Sequence, residues 1–105
     1  MDVDVVWQAV LDECRRLAPV EVGRSRFAPK PAIFLHGREI AHWDGPGGVD
    51  LRITAAGWRE VREVFGADPA VRHDPGRRDW VELRAAATDV DRLLPLIAAA
   101  VAAND

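Results

Sequence analysis

The amino-acid sequence predicts a small α+β domain in which an antiparallel β-meander packs against helices. Between residues 32 and 54, three segments alternate apolar and polar side chains and are separated by two glycine-containing turns, a pattern typical of successive β-hairpins. Apolar residues recur at helical spacing before and after this region. The predicted order of elements is α-β-β-β-α-β-β-α, and the 105 residues are of a length expected for one domain, residues 1–105.

The first predicted element is a helix that ends before Pro19, a residue that cannot continue it. Asp2 or Asp4 is suited to the N-cap position. The apolar side chains of this helix share one face and are predicted to be core residues: Val3, Trp7, Val10, Leu11, Cys14, Leu17 and Ala18. The basic segment that follows contains Phe27-Ala28-Pro29-Lys30-Pro31, and its flanking prolines predict a linker between elements.

The two predicted hairpins assign side chains to the two faces of the sheet. A two-residue turn at Gly37-Arg38 would pair Ile33 with His42, and a four-residue loop at 45–48 would pair His42 with Leu51. Directly opposed residues share a face. The predicted core face holds Ile33, Leu35, Ile40, His42, Val49, Leu51 and Ile53, and the other face holds Phe34, His36, Glu39, Ala41, Trp43, Asp50 and Arg52. A slip of one residue would exchange the faces.

The second half of the chain predicts a helix, two strands and a final helix. Thr54 is the expected N-cap of a helix over about Ala55–Phe65, and Gly66 is its expected stop. Short strands are predicted at Val71–His73 and Trp80–Arg84. The last helix should begin at Thr88 and bury an apolar stripe formed by Val90, Leu93, Leu94, Ile97 and Val101. Pro95 in its interior should kink it or delay its regular start.

Composition narrows the classes of function. The single cysteine excludes an internal disulfide. No apolar run approaches the roughly 20 residues that span a bilayer. The start of the chain is acidic, whereas a signal peptide starts with basic residues. We therefore expect a cytoplasmic protein that has no membrane partner. The net charge of −3 disfavours a dedicated nucleic-acid binder, so that DNA binding should be weak and salt-sensitive at best.

Few residues are suited to catalysis. Zinc needs three or four converging ligands, and the three histidines lie on different elements or faces, so we expect no metal and no cofactor. The chain has neither a glycine-rich phosphate loop before a helix nor a Gly-x-Ser-x-Gly motif. The candidate acid/base residues are His42 and His36. Because the predicted register places His42 between Ile33 and Leu51, a hydrogen-bonded core histidine is the favoured interpretation.

The non-core face of the sheet is the candidate binding surface. Aromatic and charged side chains on one sheet face can bind a ligand or a partner. The candidate ligand-binding residues are Phe34, Trp43, Arg52, Trp80 and Arg84. The sequence is compatible with an exposed face and with a face that a helix covers.

The chain resembles the small bacterial luciferase-domain proteins over roughly residues 31–99. The resemblance depends on Gly37-Arg38-Glu39-Ile40-Ala41-His42, Val49-Asp50-Leu51-Arg52, Trp80-Val81 and Asp89-Val90-Asp91. Gly37, Glu39, His42 and Asp50 match residue by residue, whereas Trp43-Asp44 stands where members of that family often have a second histidine. Most small members of that family have no established activity, so the resemblance implies a family and no luciferase mechanism.

A second resemblance, to the MmcQ/YjbR-like proteins, covers the order of elements and the basic segment before Trp80. That family has been proposed to bind DNA. Three hypotheses of function therefore stand: a domain that binds a small molecule or a protein, a small enzyme that uses a histidine as acid/base, and a nucleic-acid module. The last would use five arginines, Arg24, Arg26, Arg72, Arg77 and Arg78.

Overall fold

The structure, a computed structural model, describes residues 4–105. It confirms the predicted α+β class: three helices accompany a six-stranded antiparallel sheet of strand order β1-β2-β3-β4-β6-β5. The elements are α1 (Val5–Leu17), β1 (Glu21–Arg24), β2 (Pro31–Leu35), β3 (Arg38–Trp43), β4 (Gly48–Arg52), α2 (Ala55–Phe65), β5 (Val71–His73), β6 (Trp80–Arg84) and α3 (Val90–Asn104).

The structure contains a strand that the sequence did not predict, β1, between α1 and the predicted linker of residues 27–31. Glu21 pairs with Phe34, and Arg24 pairs with Pro31, which makes β1 an edge of the sheet. All four residues of β1 are exposed, so no apolar alternation marks this strand in the sequence. Its pairing with β2 positions the loop of residues 25–30, which follows it.

The helices α1 and α3 pack together against the central strands and form the core with them. Asp4 caps α1, because its Oδ1 accepts hydrogen bonds from the backbone N–H groups of Val6 and Trp7. The alternative cap Asp2 and the predicted core residue Val3 lie outside the described residues. Cys14 is buried in this core, and burial raises the pKa of its thiol to about 12, which leaves it protonated and unreactive.

The last helix begins two residues later than predicted and buries a residue that the predicted stripe omitted. A 3₁₀ turn at Ala87–Asp89 precedes α3, which continues through Pro95. Leu96 is completely buried, whereas Leu94 is half-buried. No helix within residues 4–105 is long and apolar enough to cross a membrane.

Both predicted hairpin registers are wrong. The first is off by two residues beside the turn, where Leu35 pairs with Arg38, and by one residue farther along, where Ile33 pairs with Ala41; the second is off by one residue. The first turn is His36-Gly37, with φ values of 53° and 76°, as in a type I′ turn, which needs positive φ at both central positions. In the second hairpin Ala41 pairs with Leu51 and His42 with Asp50. The slip moves His42 from the core face to the opposite face, and it moves Ala41 and Trp43 the other way.

A β-bulge in β3 changes the register of its pairing with β2 partway along the strand. Ile33 pairs with Ala41 and Phe34 with Glu39, so Ile40 is an extra residue that has no partner of its own. Ile40 and Ala41 are both buried in the core. Residues three apart in a regular strand point to opposite faces, but across this bulge Glu39 and His42 point to the same one. The bulge thus creates the central feature of the candidate site.

Candidate ligand-binding cleft

A buried histidine between two buried carboxylates forms the centre of the site. The His42 Nδ1 lies 2.9 Å from Glu39 Oε2, and the His42 Nε2 lies 2.9 Å from Asp50 Oδ2. Each of the three residues is 5% exposed. They lie on the sheet face opposite α1 and α3, where the bulge positions Glu39 and the β3–β4 register positions Asp50.

The hydrogen bonds require a charged imidazole. A carboxylate oxygen only accepts, so both ring nitrogens of His42 must carry a proton when Glu39 and Asp50 are ionised. Burial by itself would lower the pKa of His42, but the hydrogen bonds and negative charges of Asp50 and then Glu39 outweigh it and raise that pKa. The raised pKa of His42 favours the imidazolium form, whose charge neutralises part of the charge of its neighbours.

Glu39 uses both of its carboxylate oxygens within the protein. Its Oε2 also accepts a hydrogen bond of 2.8 Å from the Ser25 hydroxyl, and its Oε1 accepts one of 2.7 Å from the backbone N–H of Arg26. These bonds attach the loop of residues 25–30 to the sheet face. Because the Ser25 hydroxyl donates to Glu39, it forms no nucleophile pair with His42.

Asp50 differs from Glu39 in having one unused oxygen. Its Oδ2 accepts from His42 and lies 3.7 Å from Nη2 of Arg77. Its Oδ1 is buried and has no hydrogen-bond partner among residues 4–105. A buried acceptor without a partner costs on the order of 1–3 kcal/mol, so this atom is the place where the site is chemically incomplete.

A cleft of about 610 Å³ includes Asp50 and His42 in its wall. Two aromatic rings pack on the imidazole, with centroid distances of 5.7 Å for Phe27 and 5.3 Å for Trp80. The guanidinium of Arg77 lies 5.7 Å from the Trp80 ring centroid. The remaining lining residues are polar or small: Ala28, Lys30, Asp44, Arg78 and Asp79. The cleft thus offers aromatic walls together with donors and acceptors.

Of the five predicted ligand-binding residues, the structure places only Trp80 in this cleft. Arg52 lines an adjoining groove with Trp80 and Glu39, and its guanidinium donates to Asn104. Trp43 lies on the helix side of the sheet, where its indole N–H donates to Asp4. That placement corrects the predicted face of Trp43.

The other predicted site residues lie at the margins. Phe34 is on the predicted face, with the Arg26 guanidinium 5.8 Å from its ring centroid, and Arg84 pairs with Asp44 and Glu82. The second candidate acid/base residue, His36, is exposed in the first turn and bonds to Asp105. The structure therefore does not bring His36 and His42 together.

Neither Phe27 nor Arg77 was predicted to line a small-molecule site. Phe27 belongs to the segment interpreted as a linker, although a large aromatic residue between basic and proline residues was a usable signal. Arg77 follows the Asp-Pro-Gly turn before β6, and nothing in its local sequence indicates that it faces Asp50. Within residues 4–105 no group of three or more His, Cys, Asp or Glu side chains could hold a metal ion.

Comparison of the chain with protein-family models, with curated proteins and with solved structures finds no match. The chemistry of the cleft is therefore the basis for any assignment of function.

The raised pKa of His42 predicts that the folded state loses stability at alkaline pH. A group whose pKa rises on folding contributes its full stabilisation below its unfolded pKa, about 6.5 for histidine, and loses it as the pH rises through the folded value. We expect the difference in unfolding free energy between wild type and His42→Gln to decrease above pH 6.5. Urea unfolding from pH 6 to 9 measures it, and a difference that is constant or increases with pH contradicts an imidazolium in the fold.

Proposed function

We propose that the protein is a binding domain for a small uncharged molecule that carries a hydroxyl or amide donor and an apolar face. The observation that carries this proposal is the buried Oδ1 of Asp50, a residue that lines the cleft, because this oxygen has no hydrogen-bond partner within residues 4–105. A ligand group that donates a hydrogen bond to this oxygen would remove its desolvation cost. Few precisely placed polar groups within aromatic walls are typical of small-molecule sites.

The charges around Asp50 favour an uncharged donor over a cation. The negative charge of Asp50 already faces the His42 imidazolium and the Arg77 guanidinium. A ligand cation at Oδ1 would lie close to both positive groups, and like charges at such distances repel. A hydroxyl or amide N–H satisfies the oxygen without that repulsion.

The aromatic residues of the cleft provide the second part of the recognition. Phe27 is 68% exposed, which is unusual for a phenylalanine, and it packs edge-on against Trp80 with a centroid distance of 5.7 Å. Since exposed aromatic side chains contribute much of the affinity in binding sites, these two rings are suited to the apolar face of the ligand.

The geometry favours binding over acid/base catalysis. A general base needs a free nitrogen within hydrogen-bond reach of the proton that it removes. Both nitrogens of His42 are hydrogen-bonded to carboxylates, and His42 would have to break one of these bonds to react. In this proposal His42 is a positioning residue that holds Asp50 in its orientation.

The resemblance to luciferase-domain proteins supports a shared site. Glu39, His42 and Asp50, three of the four residues that match residue by residue, are the ones that hydrogen-bond one another here. The fourth, Gly37, has φ of 76° in the turn that begins β3. We accordingly propose membership of that family. The nucleic-acid hypothesis has less support, because Arg24 and Arg72 lie on the opposite edge strands β1 and β5.

Two probes that share a ring but differ in polar group test the proposal. Benzyl alcohol offers a neutral donor, whereas benzoate offers only an anionic acceptor. In ¹H–¹⁵N NMR titrations we expect benzyl alcohol to shift the indole signal of Trp80 saturably and to leave that of Trp43 in place. Benzoate should leave the Trp80 signal unchanged. Tighter binding of benzoate than of benzyl alcohol beside Trp80 would refute donation to Asp50.

Two asparagine variants provide a matched comparison. In Asp50→Asn the amide oxygen must face the His42 Nε2–H, so the amide N–H₂ replaces the charged acceptor. The hydroxyl of benzyl alcohol can then only accept from this N–H₂, and we expect its binding to weaken, because a neutral hydrogen bond is weaker than one to a carboxylate. In Asp91→Asn binding should persist, because Asp91 is an exposed residue of α3 that does not line the cleft. Equal affinity of the wild type and both variants would contradict a role for Asp50.

A further inference from the structure

We propose a second site, beside α2, that binds the phosphate or sulfate group of a small molecule. A cleft of about 320 Å³ is lined there by three arginines, Arg59, Arg62 and Arg78, and by Trp58 and His73. Arg59 and Arg62 are three residues apart in α2 and therefore share a helix face. Arg78 approaches from the turn that precedes β6. Three guanidinium groups from two elements thus line one cleft.

The charge of this cleft is unbalanced. Among the ion pairs within residues 4–105, none involves Arg59, Arg62 or Arg78, and no carboxylate lines the cleft. The acid next to Arg78 in the chain, Asp79, is used elsewhere, because its Oδ1 accepts from the backbone N–H of Ala55 and its Oδ2 lies 3.5 Å from Arg52. Unpaired guanidinium groups on one cleft repel one another, and an oxyanion would relieve that repulsion.

The aromatic wall indicates the kind of molecule that carries the anion. The rings of Trp58 and His73 stack with a centroid distance of 4.9 Å and an interplanar angle of 15°, and both side chains are half-buried. This stacked pair gives the organic part of a ligand a flat surface next to the arginines. Arginine forks match the oxygens of phosphate and sulfate in bidentate geometry. We therefore infer an organic phosphate or sulfate ester in preference to the free inorganic ion.

This site is separate from the cleft around Asp50. The two clefts share Arg78 among their lining residues, but each has its own tryptophan, Trp58 in the second site and Trp80 in the first. The two clefts also favour different ligands. The first favours a ligand that donates a hydrogen bond, and the second favours a ligand that carries an anionic group. The indole signals of the two tryptophans therefore report the two proposals independently.

Phenyl phosphate and inorganic phosphate, each titrated at constant ionic strength, test the second site. We expect phenyl phosphate to shift the Trp58 indole signal saturably, with the Trp43 signal unchanged. Arg59→Ala/Arg62→Ala should weaken this binding by about tenfold or more, as expected for the loss of charge-assisted hydrogen bonds. Arg15→Ala, which removes an exposed arginine from α1, should leave the affinity unchanged.

The outcomes separate the sources of the anion. Tighter binding of phenyl phosphate than of inorganic phosphate supports an organic ester, whereas equal affinities support the oxyanion site and overturn the role of Trp58. Shifts that never saturate, or that are the same in the double variant, overturn the site. If a single-stranded oligothymidylate binds about a hundredfold more tightly than phenyl phosphate, the small-molecule assignment is wrong and this face binds nucleic acid.

Discussion

His42→Leu is expected to lower the unfolding free energy by about 3–5 kcal/mol, the usual cost of removing one partner from a buried ionic group. The leucine would leave Glu39 and Asp50 both buried and without the imidazolium between them. In a domain of this size such a loss lowers Tm by on the order of 20 °C. Urea unfolding followed by tryptophan fluorescence, together with thermal unfolding, measures both quantities at pH 6.

The control for this variant is His36→Leu. His36 also pairs with a carboxylate, that of Asp105, but both side chains are more than half exposed, at 58% and 61%, and exposed pairs contribute little. Its substitution should leave the stability nearly unchanged. The register predicted from sequence, which places His42 between apolar neighbours, predicts tolerance of His42→Leu with a cost of roughly 1–3 kcal/mol.

Neutral substitutions of Glu39 and Asp50 should restore part of the stability that His42→Leu removes. Adding Glu39→Gln and Asp50→Asn to His42→Leu removes the two uncompensated charges, so the triple variant is expected to regain part of the lost stability. A triple variant that is less stable than His42→Leu alone would show that shape, and not charge, dominates at this position.

Leu96→Ala is expected to cost about 2–5 kcal/mol, the range for a fully buried leucine whose removal leaves a cavity. Leu96 is 0% exposed in the layer that α3 forms against the sheet. Leu94→Ala in the same helix is the matched control, because Leu94 is only half-buried and its truncation creates less of a cavity. Chemical denaturation of the two variants should show the larger loss for Leu96. A larger loss for Leu94 would contradict the orientation of α3.

The hydrophobic pattern was sufficient to predict most elements of the fold. The existence of α1 and of strands β2 to β4, and the N-cap Thr54 of α2, whose Oγ1 accepts from Gly57 N–H, follow from local signals that tertiary packing did not override. Strand β1 was missed because all of its residues are exposed. An edge strand of this kind is held by backbone hydrogen bonds, which every residue type except proline can both donate and accept.

The candidate site depends on two details that local sequence does not encode. A turn at His36-Gly37 and one at Gly37-Arg38 both satisfy the glycine preference, and only the packing of the core selects the first. The bulge at Ile40 then lets two consecutive residues enter the core and brings Glu39 to the face of His42. Side-chain alternation assumes a regular strand, so it assigned His42 to the wrong face.

The sequence by itself determined the fold class, the elements that make up most of the sheet and core, and the residue types available for chemistry. Tertiary structure alone decided which of those residues meet. Glu39, His42 and Asp50 converge because of a bulge and a register, and Phe27 and Arg77 join them from loops whose positions depend on long-range contacts. Local patterns report burial and periodicity, whereas a site of this kind depends on one-residue offsets between strands, which are settled by the packing of the whole core.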